Sequence, residues 1–249
     1  MMNCRTVEEM ILSGNREKSA RHLAIRKGIR IMLVKDVMTR HPIMISPDTS
    51  ATEAQRLMAE NNIRHLPVTG RGKRLEGLIS QQSFALNADV VGSLDVWQIS
   101  RYLSGLSVKD VMKPVDKVKT IHPNRTIEYA ARMMTDYKVS SMPVVEENVV
   151  VGIISEIDLL NVMQTMLALP IEGWRMTVRM PNIPGEFQKL NAALGDHNNC
   201  VMAIATYPAP RRPDYYDVVI KFKGVNKEQL LEALKKVPSQ EIIDLRESN

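Results

Sequence analysis

Val34-Lys35-Asp36-Val37-Met38 returns as Val108-Lys109-Asp110-Val111-Met112, 74 residues further on. Four more blocks return in the same order. Ile45-Ser46-Pro47 is echoed by Ile121-His122-Pro123, and Ala54, Leu57 and Met58 by Ala130, Met133 and Met134. Leu66-Pro67-Val68 is echoed by Met142-Pro143-Val144, and Gly77-Leu78-Ile79-Ser80 by Gly152-Ile153-Ile154-Ser155. Five matched blocks in register define an internal repeat. A repeat of this size is one supersecondary unit, and it needs a neighbour to cover its apolar face.

Each repeat reads as strand, helix, strand, strand, helix. Ile43–Ile45 reads as a short strand ended by the turn pair Pro47-Asp48. Ser50 with Glu53 forms a capping box for a helix whose inner face is Ala54, Leu57 and Met58. Pro67-Val68 opens a second strand. Gly70, Gly72 and Lys73 make a polar hairpin, and Leu75–Ile79 is the returning strand. In the second copy Met142–Val145 and Val149–Ile154 are joined by Glu146-Glu147-Asn148. Residues 84–106, with Trp97 and Tyr102, read as a connector with helical content.

From about residue 172 the pattern changes. Trp174–Met180 alternates as a strand, and Phe187, Leu190 and Leu194 mark a helix. Val201–Tyr207 and Tyr216–Phe222 are strands joined through Pro208–Pro213. Asn226 caps a helix striped by Leu230, Leu231, Leu234 and Val237, and Glu241–Leu245 is a last strand. The order is βαββαβ, the ferredoxin-like arrangement. The predicted class is therefore mixed α+β (α/β). The divisions are an N-terminal arm 1–30, repeats at 31–83 and 107–165, a connector at 84–106, and a C-terminal unit at 172–247.

Composition narrows the function. In 249 residues, hydrophobic side chains make up 44%, charged ones 24% and aromatic ones 4%, with 16 methionines. This is a folded chain with an aliphatic, methionine-rich core. The uncharged run Leu159–Ile171 is thirteen residues, short of the ~18 of a membrane span. The charged N-terminus is not expected to be a signal peptide. Cys4 and Cys200 make neither a disulfide scaffold nor a zinc cluster, and a cytoplasmic location is expected. Net charge is 33 − 28 = +5. The first thirty residues hold seven basic and three acidic side chains, which suits a basic arm or a solvated helix. No helix-turn-helix or zinc module is evident, so nucleic acid is the less favoured partner.

The paired blocks resemble a tandem of CBS domains, the Bateman module, over roughly residues 31–165. The resemblance rests on Val34–Met38, Arg64-His65-Leu66-Pro67-Val68 and Leu75–Ser80, and on Val108–Met112, Ser141–Val145 and Val151–Asp158. The C-terminal βαββαβ, with Ile183-Pro184-Gly185 ahead of Phe187 and Leu190, resembles an ACT domain. The whole order is similar to the acetoin-utilisation type of CBS-CBS-ACT protein.

Function follows from that resemblance as an expectation. Ser155 and Asp158 sit where a strand meets a helix, and a carboxylate there can accept two hydrogen bonds from a ribose diol. The resemblance gives this pair ribose and phosphate of an adenosine ligand. The same two residues also read as a helix cap. The stretch Thr120-Ile121-His122 and the wall Ser141-Met142-Pro143 correspond to the adenine-facing segments, with Ile121, Met142 and Val144 expected to sandwich the base. In the first copy Ser80 matches Ser155, but Ser83 stands where Asp158 would be, so this site is expected to be the weaker. Arg64 and His65 are placed to reach phosphates. Asn182 and Gly185 bracket a helix start where an ACT domain receives an amino acid. None of the five histidines has metal-ligand spacing, and no phosphate loop or nucleophile elbow occurs. The expected protein is a regulatory homodimer and not an enzyme; the alternatives are an interaction and dimerisation module whose nucleotide site is vestigial, and a nucleic-acid-associated regulator using the basic arm. Its expected ligand is AMP, ADP, ATP or S-adenosylmethionine, with no cofactor, no metal, no membrane, and a separate, unidentified protein target.

Overall fold

The computed structural model describes residues 32–84, 105–169, 171–195 and 200–248. The basic arm and nearly all of the connector lie outside them. The chain divides into two compact units, one ending at Leu160 and the other starting at Asn161.

The first unit is made of α1 (Val34–Val37), β1 (Thr39–Arg40), α2 (Ala51–Glu60), β2 (His65–Thr69), β3 (Leu75–Ser80), α3 (Val108–Val111), β4 (Lys113–Pro114), α4 (Ile127–Tyr137), β5 (Ser141–Glu146) and β6 (Val149–Ser155), followed by α5 (Glu156–Met166). The block that opens each repeat forms a four-residue helix, which the sequence reading did not assign. Its first turn is closed by its own carboxylate: Asp36 Oδ2 accepts from Leu33 N at 3.0 Å, and Asp110 Oδ2 from Ser107 N at 2.9 Å. The longer helices start on hydroxyl caps, Ser50 Oγ accepting from Glu53 N and Thr126 Oγ1 from Tyr129 N. Ile43–Ile45 is not a strand. Ile45 alone bridges Val68 in parallel, its N–H donating to the Pro67 carbonyl and its carbonyl accepting from Thr69 N.

The repeats exchange their opening segments. β2 and β3 pair with each other, but the third strand of that sheet is β4, from the second repeat. β5 and β6 are completed by β1, from the first. The cores follow suit. Val108 packs with Ile45, Ala54, Met58, Leu66, Val68 and Ile79, while Val34 packs with Ile121, Ala130, Met134, Met142, Val144 and Ile154. The helix N-termini are satisfied across the exchange as well: Val34 N donates to Arg125 O at 2.8 Å and Val108 N to Thr49 O at 2.8 Å. Burying one valine contributes ~1.5–3 kcal/mol, so each repeat draws part of its stability from the other.

The second unit contains β7 (Gly173–Pro181), α6 (Glu186–Leu194), β8 (Val201–Pro208), β9 (Tyr215–Phe222), α7 (Lys227–Leu234) and β10 (Glu241–Ser248). Its four strands are antiparallel in the order β10-β7-β9-β8. Met176, Val178, Met180, Val218, Ile220 and Phe222 face the helices and pack on Leu190, Leu194, Leu230 and Leu234. Strand alternation then sends Arg175, Thr177 and Arg179 of β7 and Asp217, Val219 and Lys221 of β9 to the opposite, helix-free face. There Arg179 meets Asp217 at 2.8 and 2.9 Å, a two-pronged pair.

Candidate functional site

β6 ends at Ser155 and α5 begins at once, so three hydrogen bonds converge at the helix N-terminus. Ser155 N donates to Asp158 Oδ2 at 2.8 Å, and Ser155 Oγ donates to the same oxygen at 2.7 Å. Asp158 N points back to Ser155 Oγ at 3.4 Å. Both bonds to the carboxylate fall on Oδ2. Among the described residues Oδ1 has no partner, and Asp158 is only half-buried. The pair is thus a cap with one carboxylate oxygen left over.

Across the β5–β6 ladder Ser155 faces Ser141. Ser141 is 4% exposed, and among the described residues its Oγ has no hydrogen-bond partner. Next to it, the Ser140 carbonyl accepts from Glu156 N at 3.0 Å, and Ser140 Oγ lies 3.3 Å from His65 Nε2. His65 of the first repeat thus lies against the residue whose carbonyl accepts from the first N–H of α5. Burial, and then the charge of Arg64, hold the imidazole below its ordinary pKa. Arg64 itself is exposed.

The first repeat repeats this geometry without the carboxylate. Ser80 N donates to Ser83 Oγ at 3.1 Å, and the Ser80 and Ser83 hydroxyls lie 3.3 Å apart. Gln81 N donates to Arg64 O at 3.1 Å, the counterpart of Glu156 N to Ser140 O. His65 faces Ser80 as Ser141 faces Ser155. Ser83 fills the cap and offers no charge.

The residues read from the sequence as an adenine wall pack in the core of the second repeat. Ile121, Met142 and Val144 are all buried in the core that also takes Val34, and Ile121 is tied to β5 through Pro143 O and Val145 N. Their side chains pack against one another and against Val34. Pro143 is buried and Thr120 half-buried. His122 is exposed, with Nε2 3.8 Å from Glu146. What is accessible at this end of the unit is polar: Asp158, His65 and Arg64.

In the second unit Asn182 N donates to Asp214 O at 2.7 Å, and Gly185 caps α6 with φ 91°. The residue after it, Glu186, was not singled out in the sequence. Its buried carboxylate takes hydrogen bonds from Lys189 at 2.6 Å, Ser239 at 2.9 Å and Gln240 at 3.1 Å. The bonds from Lys189 and Gln240 hold its pKa below the ordinary carboxylate value, against its burial. The first turn of α6 thus carries its own anion. Among the described residues no group of three or more His, Cys, Asp or Glu is placed to hold a metal, and no helix is long and apolar enough to cross a membrane.

Comparison with known proteins names the first unit. The CBS domain family matches residues 34–86 and 108–165, so the chain carries a tandem pair of CBS domains. The CBS domain-containing protein YhcV of Bacillus subtilis is 28% identical over 131 residues, covering 51% of this chain and 81% of YhcV. The L-aspartate semialdehyde sulfurtransferase of Methanosarcina acetivorans is 31% identical over 145 residues, but the match spans 57% of this chain and only 25% of that enzyme. A putative acetoin utilization protein (AcuB) from Vibrio cholerae is 28% identical at a TM-score of 0.46, over 55% of this chain and 94% of AcuB.

Proposed function

We propose that this protein is a ligand-sensing regulator, not an enzyme, whose CBS pair binds an adenine nucleotide or adenosyl compound at the start of α5. The observation that carries the reading is the half-bonded carboxylate of Asp158, whose two hydrogen bonds both fall on Oδ2. Asp158 is suited to a ribose diol, and His65 with Arg64 to phosphate. An adenine must then lie against polar backbone edges or displace core side chains.

The signal is proposed to pass through a homodimer. Ala54 and Ala130, around which apolar surface was expected, are fully buried. Ile157, Leu160, Met163 and Met166 instead leave about half of each side chain exposed, at a spacing of three along one side of α5. A second copy laid on this stripe would bury it, and a two-fold pair is the common closed arrangement. The stripe starts one residue before Asp158, so ligand and partner share a helix. The second unit is proposed to be an ACT-like domain on the strength of its βαββαβ order, and the whole protein to act in the cytoplasm on a separate protein target.

Calorimetry with AMP, ADP, ATP and S-adenosylmethionine tests the reading. Micromolar affinity, about −8 kcal/mol, is expected for at least one. No heat with any of them at millimolar ligand would leave an interaction module whose Ser155–Asp158 ring is only a cap.

A further inference from the structure

The helix-free face of the second unit holds a hollow of about 240 Å³. Ala203 and Ala205 of β8 and Val219 of β9 line it with short side chains, and Leu167 and Leu169, from the turn after α5, wall it. Its charge comes from Lys221 and Arg175. Lys221 is only 4% exposed. Its Nζ donates to Ala168 O at 2.8 Å and to Leu169 O at 3.4 Å, and an ammonium has a third N–H to give. Among the described residues no carboxylate pairs with it. A buried, unpaired ammonium is unfavourable, and burial holds its pKa below the ordinary lysine value. Arg175 reaches Asp244 at 3.3 Å, but Arg246 holds the same carboxylate at 2.6 Å. Arg175 and Arg246 thus share one carboxylate at the rim of an apolar hollow, and Lys221 has none.

We propose that this hollow binds a small monocarboxylate with a short branched chain, its carboxylate on Lys221 and Arg175 and its chain over Ala203, Ala205 and Val219. The lining excludes most of the alternatives. A phosphate would face mainly apolar surface, and a neutral chain would leave Lys221 unpaired. A free amino acid would bring its own ammonium against two cations, which separates this site from an amino-acid sensor. The inference is independent of the nucleotide site.

The test is a titration of the full chain with isovalerate, isovaleramide and leucine, followed by calorimetry or ligand-observed NMR. Isovalerate is expected to bind saturably and at least tenfold more tightly than either of the others. Lys221→Met should weaken it at least tenfold. Because that variant also removes the clamp on the Ala168 and Leu169 carbonyls, Ala205→Phe serves as the second: it fills the hollow, leaves the charges in place, and should abolish binding with the melting temperature and the AMP titration unchanged. Equal binding of isovaleramide, binding that survives Ala205→Phe, or no saturation by isovalerate overturns the proposal. The AMP titration reports the nucleotide site separately, so failure of either reading is visible without the other.

Discussion

Gly77 lies directly against Lys113: a Cβ added to the glycine would stand 2.7 Å from the Lys113 carbonyl oxygen and equally close to the Met112 sulfur. Gly152 is the counterpart, its Cβ meeting the Thr39 carbonyl oxygen at 3.1 Å and, closer still, the Met38 sulfur. In both repeats the glycine marks where the exchanged strand passes. The backbone cannot yield without breaking the β3–β4 or β1–β6 pairing. Gly77→Ala and Gly152→Ala should each cost about 1–3 kcal/mol by overpacking. Gly105→Ala, with nothing within 4 Å, should be neutral or slightly stabilising. Urea unfolding curves compare the three.

Arg179 and Asp217 form the most deeply buried ion pair of the described residues, with side chains 16% and 3% exposed. Arg179→Met strands a buried carboxylate and should destabilise the second unit by about 3–5 kcal/mol. Adding Asp217→Leu removes the stranded charge, so the double variant should recover most of the loss in thermal melts. A double variant as unstable as the single one would mean the pair is not the cause.

Asp158→Ala removes both the cap and the proposed ribose acceptor. Helix start-up should lose about 1 kcal/mol, while ligand affinity should fall by about 2 kcal/mol, roughly thirtyfold. Ser155→Ala loses the cap while keeping the carboxylate, so it should lower stability with a smaller effect on affinity. Calorimetry beside unfolding curves separates the two roles.

Leu160→Glu and Met163→Glu place charges in the exposed stripe of α5. Each should turn a dimer into a 28.1 kDa monomer in light scattering without lowering the melting temperature of an isolated protomer. Persistence of the dimer would move the interface off α5.

Acid titration should reveal Glu186. Its folded pKa is depressed below the ordinary 4.5 by Lys189 and Gln240. The stability this gives is fully present above 4.5 and drains away as pH falls below it through the folded value. Glu186→Gln should flatten that part of the stability-versus-pH curve of the second unit.

The repeat and the Ser155–Asp158 pair were legible because both are local: matched blocks and an i, i+3 spacing survive without knowing the fold. The exchange was not legible, and the reason is the repeat itself. Val34 and Val108 occupy identical blocks, so the apolar pattern is equally well met whether each fills its own repeat's core or the other's. The burial of Met142 and Val144 in one core with Ile121 follows from the tight β5–β6 packing, which a count of apolar residues near a site does not reveal. Glu186 reads as an ordinary first-turn acid, since its partners Ser239 and Gln240 lie more than fifty residues away. Lys221 reads as a solvent-facing strand residue, and only the turn after α5 makes it a buried one.

Because β1 and α1 complete the second repeat while β4 and α3 complete the first, a nick in the chain between Phe84 and Gly105 would not set the halves free. Each fragment would keep a missing piece of the other, so separately made halves should reassemble on mixing, and either one alone should seek a second copy of itself as a substitute. The covalent link between the repeats is then a matter of local concentration.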